Sequence, residues 1–229
     1  LILIKENIKY DAELKFFNSD GSEASACGNG TRCVAYFLSK ENKKDIINVY
    51  TSSGNLKSKI LDKKIVQTQI GVPKTKWNEI PINKNIDTVN LNIKIYDKNN
   101  KEFIGGTAIN VGNPHIIFCV RNLEDFDIKK VGPVIEKHNL FPEKCNVTIA
   151  QVINKSLIKV KVWERGSGNT KACGTAACAT AVAGKINGVT GSQTEIAFPL
   201  GNLSILIDKE NIIHMTGPVS EIEEIKIKL

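Results

Sequence analysis

Short apolar runs closed off by turn residues dominate the pattern of hydrophobic and polar positions, and they predict a chain built mostly of strands. Residues 1–17 read as two strands joined by a turn at Glu6-Asn7. Runs at 46–51, 56–61 and 65–70 follow, the last two separated by Asp62-Lys63-Lys64, and Gly71 and Pro73 close the series. Residues 89–96 read as a strand before the turn Asp97-Lys98-Asn99-Asn100, and 105–120 as strand, tight polar turn and strand. Strands are predicted again at 147–152, 157–163 and 194–198. A turn at Gly201-Asn202, more strand up to Gly217-Pro218, and a tail over 222–229 that would pair with the first domain complete the chain. Helices are fewer. One runs from the loop at Cys27 to about Ser39, one covers 128–139 on the surface, and one, rich in alanine and free of proline, runs from Cys173 to Gly184. Residues 40–45 read as a solvated connection, 74–85 as a linker and 141–146 as a loop.

The pattern of strand, glycine turn, cysteine and helix between Trp163 and Gly184 occurs twice. Ala26-Cys27-Gly28 lies 146 residues before Ala172-Cys173-Gly174, and at that offset Phe17 falls on Trp163, Asp62 on Asp208 and Gly71 on Gly217. Gly54-Asn55-Leu56 recurs one residue out of step as Gly201-Asn202-Leu203. Several matches in one register predict an internal duplication and a site shared across a pseudo-two-fold axis. With the crossing near Pro73, one domain comprises residues 1–73 and 219–229 and the other 74–218. The counterparts of Asn113 and Asn146 would fall upstream of Leu1, and the first residue is not Met. The expectation is a first half that began about thirty to forty residues earlier.

Composition narrows the function. A chain of 229 residues can bury a sizeable core and form two small domains. Hydrophobic content of 41% and charged content of 24% are those of a soluble globular protein, and no apolar run approaches membrane-spanning length. Leu1-Ile2-Leu3-Ile4 is too short for a signal peptide, so the expected location is the cytoplasm, without a membrane partner. A net charge of +7 admits an anionic partner, but the lysines are scattered and aromatics are only 6%, which argues against nucleic acid. Six cysteines without a secretion signal are expected to be reduced. Cys27-x5-Cys33 and Cys173-x4-Cys178 are not zinc spacings, and His115, His138 and His214 show no ligand pattern, so no metal site is expected. Cys33, Cys119, Cys145 and Cys178 read as small packing residues, with Cys33 and Cys178 facing the interior from their helices.

Cys27 and Cys173 are different, because each stands where a helix begins. Unpaired backbone N–H groups and the positive end of the helix dipole favour a thiolate there. A cysteine with its ordinary pKa of about 8.5 is roughly 3% thiolate at pH 7, and lowering it by about 1.5 units ionises half. Two thiols at one carbon suit inversion: one removes an acidic hydrogen from one face, and the other returns a proton to the opposite face. The paired helix starts can hold an α-carboxylate and spread the developing charge. This chemistry needs no pyridoxal or metal cofactor. Two other readings stand beside it, a pair of structural cysteines and a thiol–disulfide enzyme, the latter without its usual Cys-x-x-Cys. His115 follows a polar turn and precedes an apolar run, which admits either core or cleft.

These residues resemble the diaminopimelate epimerase family. Residues 18–33, Asn-Ser-Asp-Gly-Ser-Glu-Ala-Ser-Ala-Cys-Gly-Asn-Gly-Thr-Arg-Cys, are similar to its first signature, and residues 164–175, Glu-Arg-Gly-Ser-Gly-Asn-Thr-Lys-Ala-Cys-Gly-Thr, to its second. Val111-Gly112-Asn113-Pro114-His115 and Cys145-Asn146-Val147 are similar to two further motifs, so the resemblance spans essentially the whole chain. It implies an α+β fold of two pseudo-symmetric domains, each a mixed β-sheet or barrel wrapped around a central helix, with the cleft between them. It also implies interconversion of LL- and meso-diaminopimelate in lysine synthesis without pyridoxal, by a small-molecule enzyme for which a homodimer is admitted.

The resemblance makes Cys27 and Cys173 the acid–base pair and puts Gly28, Asn29, Gly174 and Thr175 at the helix starts that bind the reacting carboxylate. It has Asn18, Asn113, Asn146, Glu164 and Arg165 hold the amino and distal carboxylate groups, with His115 and Glu164 tuning the thiols. Ala176 stands where glycine is usual, and the family's N-terminal Gly-Asn-Asp motif is absent. Proline racemase-like enzymes also use two cysteines, but would lack Asn18-Ser19-Asp20-Gly21-Ser22 and Glu164-Arg165-Gly166. A truncated, inactive member of the family is the other alternative.

Overall fold

The structure, a computed structural model, describes residues 1–17, 21, 23–24, 27–52 and 54–225. Contacts divide the chain into two compact units, residues 1–69 with 216–229 and residues 70–215. Each is α+β.

Unit one contains β1 (Ile2–Lys5), β2 (Ala12–Phe17), β3 (Glu23–Ala24), α1 (Gly28–Asn42), β4 (Ile46–Thr51), β5 (Gly54–Asp62) and β6 (Ile65–Gly71). The sheet runs β1-β2-β4-β5-β6 with β3 against β2, and only the β2–β4 pair is parallel. Alternation sets the buried face: Ala12, Leu14 and Phe16 of β2 turn inward with Ile47, Val49 and Val66 onto Val34, Ala35 and Leu38 of α1.

Unit two contains the hairpin β7 (Ile93–Tyr96) and β8 (Glu102–Gly105), then β9 (Thr107–Asn110), β10 (Pro114–Val120), α2 (Ile128–Glu136), β11 (Asn146–Asn154) and β12 (Leu157–Glu164). After these come β13 (Gly168–Thr170), α3 (Gly174–Ile186), β14 (Gln193–Phe198) and β15 (Gly201–Ile207), and then β16 (Ile213–Pro218), along which the chain passes from unit two to unit one at residue 216. The order is β9-β10-β11-β12-β14-β15, parallel at β10–β11 and β12–β14. Its central strands are covered on both faces. Ile116, Phe118, Val147 and Ile149 pack with Ile128, Val131 and Ile135 of α2, while Ile117, Ala150, Ile158, Val160 and Val162 pack with α3. That two-sided burial explains the near-continuous apolar run in β11. Helix α3 is buried from Gly174 to Gly184. Its alanines give it high helix propensity, and its small side chains on every side let the sheet close around it. A Cβ at Gly184 would lie 2.6 Å from Thr190 Oγ1.

The duplication is visible in strand register. Ile2 pairs with Phe16 and Leu3 with Lys15 in unit one, and Thr148 with Val162 and Ile149 with Lys161 in unit two, each position 146 later. Phe16 faces Ala24 as Val162 faces Thr170. Both halves repeat strand, helix and parallel strand: β2-α1-β4 and β12-α3-β14.

Several elements depart from the sequence expectations. Helix α1 continues to Asn42, because Lys40 and Glu41 are good helix formers, and it stops at Lys43, whose left-handed φ of 52° brings its N–H to the Ser39 carbonyl. The segment 74–85 is no free linker, since Ile80 and Ile82 are buried against Leu91 and Phe141. The strand expected at 89–96 starts only at Ile93, after Asn92 takes a φ of 53°. Helix α2 ends at Glu136 rather than 139, three residues after Pro133, which has no N–H to give the Lys129 carbonyl. Gly201 and Asn202 already belong to β15, the turn being Pro199-Leu200. Gly217 and Pro218 lie inside β16.

Cys33 is exposed on α1 rather than interior, whereas Cys178 and Cys145 are buried. Of the tail, residues 221–225 form no strand, and 226–229 lie outside the described residues. Among the described residues no helix is long and apolar enough to cross a membrane.

Candidate active site

In unit one the chain leaves β2 and β3 and enters α1 with Cys27 as its N-cap, in extended geometry. The thiol sulfur accepts the Gly30 N–H at 3.3 Å, and the Cys27 carbonyl accepts the Thr31 N–H at 2.8 Å. Space at Gly30 is tight: a Cβ there would lie 2.7 Å from Ile2 Cδ1, the mobile end of that side chain, and 3.2 Å from the Cys27 sulfur. Gly28 is buried at the helix start, and the Asn29 side-chain oxygen accepts an N–H from Arg32 at 2.9 Å. Arg32 is a buried cation one turn into the helix, which the sequence reading did not single out. Asn18 lies outside the described residues.

Unit two brings the remaining residues together at one end of its sheet. The parallel strands β10 and β11 both begin there, with His115 opposite Asn146, and the antiparallel β12 ends there at Glu164. Asn146 is buried and holds two neighbours: its Nδ2–H donates to the Pro114 carbonyl at 2.9 Å, and its Oδ1 accepts the Arg165 N–H at 2.9 Å. The Arg165 guanidinium spends one N–H on the Glu143 carbonyl at 2.8 Å. Arg has five such donors, so among the described residues the rest of the fork remains for an anion.

His115 is fully buried, and its Nε2 meets Asn113 Oδ1 at 2.8 Å. Burial, followed by the nearby Arg165 charge, pulls its pKa down to about 3, so the ring is neutral at physiological pH. With Nε2–H donating to the amide oxygen, Nδ1 is left as a buried acceptor that finds no partner among the described residues.

Cys173 caps α3, and its sulfur lies 3.4 Å from Thr175 Oγ1 beside the backbone of Gly174. Here the sequence expectation needs correcting. Burial, reinforced by the Glu164 carboxylate, pushes the Cys173 thiol up rather than down, and the Thr175 hydroxyl and Ala176 N–H oppose this only in part. A cysteine only 6% exposed loses more by desolvation than the helix start returns. The resting form of Cys173 is therefore the thiol, a proton donor.

Glu136 also escaped the sequence reading. It is buried at the end of α2, accepting the Trp163 indole N–H at 2.7 Å and the Gly166 N–H at 3.2 Å. The available signal was a carboxylate four residues after Gly132, on the stripe that also carries Ile128, Val131 and Ile135.

Comparison with known proteins gives a consistent picture. A family model described as diaminopimelate epimerase matches residues 1–76 and 107–222. A diaminopimelate epimerase of Pelagibacter ubique (strain HTCC1062) is 63% identical over 229 residues, covering all of this chain and 84% of that protein. One from Carboxydothermus hydrogenoformans is 39% identical, covering 95% of this chain and 79% of that one. Among solved structures, a phenazine biosynthesis protein from Bacillus anthracis superposes with a TM-score of 0.64 at 15% identity, covering 95% of this chain and 80% of that chain. A probable proline racemase from Agrobacterium radiobacter K84 gives 0.61 at 14%, covering 95% and 72%. At that identity the likeness concerns the fold.

Proposed function

The chain belongs to the diaminopimelate epimerase family, and we infer that it interconverts LL- and meso-diaminopimelate, a step of lysine biosynthesis, through proton transfer by Cys27 and Cys173. The observation that carries the assignment of these two residues is their equivalence. Each is the N-cap of the helix that follows the repeated strand, at positions 146 apart in a chain whose strand registers repeat at the same interval.

In the proposed mechanism one cysteine, as thiolate, takes the α-hydrogen, leaving its electron pair on the α-carbon. The other, as thiol, donates a proton to the opposite face and becomes the thiolate. The pair ends with its protonation exchanged, ready for the reverse direction. Gly28 and Asn29 in one unit, and Gly174 and Thr175 in the other, offer helix-start N–H groups to the α-carboxylate as charge builds beside it. Arg165 takes the distal carboxylate with the guanidinium donors that Glu143 leaves, while Asn113, Asn146 and Glu164, with Asn18 assigned by the family resemblance, serve the amino and carboxylate groups. His115, neutral and buried, joins Glu164 in setting the polarity around Cys173. No step in this scheme calls on pyridoxal or a metal, and a cytoplasmic location is the reading that accords with a biosynthetic step on a small soluble substrate.

The test is α-proton exchange: LL- or meso-diaminopimelate incubated with the chain in deuterated water under reducing conditions, without pyridoxal, and followed by NMR. Deuterium incorporation with interconversion is the expected result, and Cys27→Ser and Cys173→Ser should each abolish interconversion. Full activity in either variant would remove that cysteine from the mechanism.

A further inference from the structure

Glu136 stands where a carboxylate is least comfortable. It is the last residue of α2, at the negative end of the helix dipole, and it is only 6% exposed. Its two oxygens take different donors. Oε2 accepts the indole N–H of Trp163, and Oε1 accepts the backbone N–H of Gly166. Those donors flank Glu164 and Arg165, the two residues read above as facing Cys173 and the distal carboxylate. One side chain thus grips the chain immediately before and immediately after the pair.

Further contacts make the grip rigid. The Trp163 ring lies on Gly132, one helical turn before Glu136, where a Cβ would come within 2.4 Å of Trp163 Cγ. The Glu136 carbonyl accepts the Cys145 N–H at 3.2 Å, and the next residue, Asn146, accepts the Arg165 N–H. Glu136, Cys145, Asn146, Arg165 and Gly166 therefore form a closed ring of covalent and hydrogen-bonded links around the turn. The turn itself, with Gly166 at a φ of 76° and the Ser167 N–H on the Glu164 carbonyl, contributes two of these successive amides to buried side chains.

We propose that Glu136 is a positioning residue for the reaction, holding the Glu164-Arg165 segment in register so that Arg165 meets the distal carboxylate of the substrate. The proposal rests on the reading of Arg165 given above. A guanidinium displaced by about an ångström binds ground state and transition state less well to a similar extent, so the loss appears in KM more than in kcat.

Two variants test it in the full chain. Glu136→Gln keeps the shape but turns an NH2 toward one of the two donors, and Trp163→Phe removes one donor while keeping a ring on Gly132. For each, KM and kcat for diaminopimelate and the hydrogen-exchange rate of the Gly166 amide are measured, with the Ile196 amide in β14 as a control for global opening. Glu136→Gln should raise KM about tenfold with kcat changed less than about threefold, and should speed Gly166 exchange while Ile196 keeps its rate. Trp163→Phe should shift the same quantities in the same direction by less. Unchanged KM with unchanged Gly166 exchange in Glu136→Gln would overturn the proposal, as would equal acceleration at Gly166 and Ile196, which is the mark of a residue that only stabilises the fold. The exchange rates report the grip without turnover. A wild-type chain inactive on diaminopimelate would therefore refute the substrate reading separately.

Discussion

At the scale of single residues, burial reverses what position suggests. Cys27 and Cys173 occupy the same place in two copies of one motif, yet Cys27 is half-buried with its sulfur on the Gly30 N–H, and Cys173 is almost closed off beside Glu164. The motif was legible in the sequence; the difference was not, because desolvation depends on the strands packed around the sulfur. At neutral pH iodoacetamide should therefore modify Cys27 and the exposed Cys33 well before Cys173, read by peptide mass spectrometry. Labelling of Cys173 first would contradict the assigned burial. His115 yields a second prediction. Its folded pKa of about 3 lies below the ordinary 6.5. Between those values the unfolded chain binds a proton that the folded chain refuses, so its contribution to stability is complete above pH 6.5 and declines as pH falls toward 3. From pH 7 to 5 that amounts to about 2 kcal/mol. Urea unfolding at the two pH values should show wild type losing more stability than His115→Gln, which does not titrate; parallel losses would mean that His115 is solvated.

At the scale of elements, what could be read was what local chemistry dictates. The alanine run of α3 and the alternation in β2 and β4 need no partner to be recognised. The short strand β13 and the packing of Ile80 and Ile82 could not be read, since the hydrogen bonds of β13 come from β12 and the burial of the isoleucines from the α2 side of the sheet. Gly132 shows the same limit. In sequence it is a poor helix residue ahead of a proline, whereas in the fold it is the surface on which Trp163 rests. Gly132→Ala would gain local helix propensity of about 1 kcal/mol. The added Cβ, however, would lie 2.4 to 2.6 Å from Trp163 Cγ, Cδ2 and Cβ. Overpacking at such distances costs about 1–3 kcal/mol and should outweigh the gain. The expected outcome is a lower urea midpoint with unchanged slope; a raised midpoint would show that the indole moves aside freely.

At the scale of the whole molecule, the duplication was the most legible feature, because a shared offset survives even where the residues themselves have diverged. Strand registers 146 apart restate it in hydrogen bonds. The two copies are nonetheless not equally supported. Unit one gathers a single cluster about α1, while unit two surrounds its central strands with two, one at α3 and one at α2. Stability is distributed according to buried apolar surface, so segments with less of it open at lower free energy. Amides of α1 should therefore exchange through cheaper openings than those of α3 as urea is raised below the unfolding midpoint. A core truncation sharpens the comparison. Ile47 is fully buried in unit one, and Ile47→Ala should cost about 2–5 kcal/mol. Mass-spectrometric hydrogen exchange on that variant should show peptides of α1 and β4 losing protection before those of α3 and β11. Simultaneous loss in both sets would mean that the two cores open as one cooperative unit, and that the unequal clusters do not govern the order of unfolding.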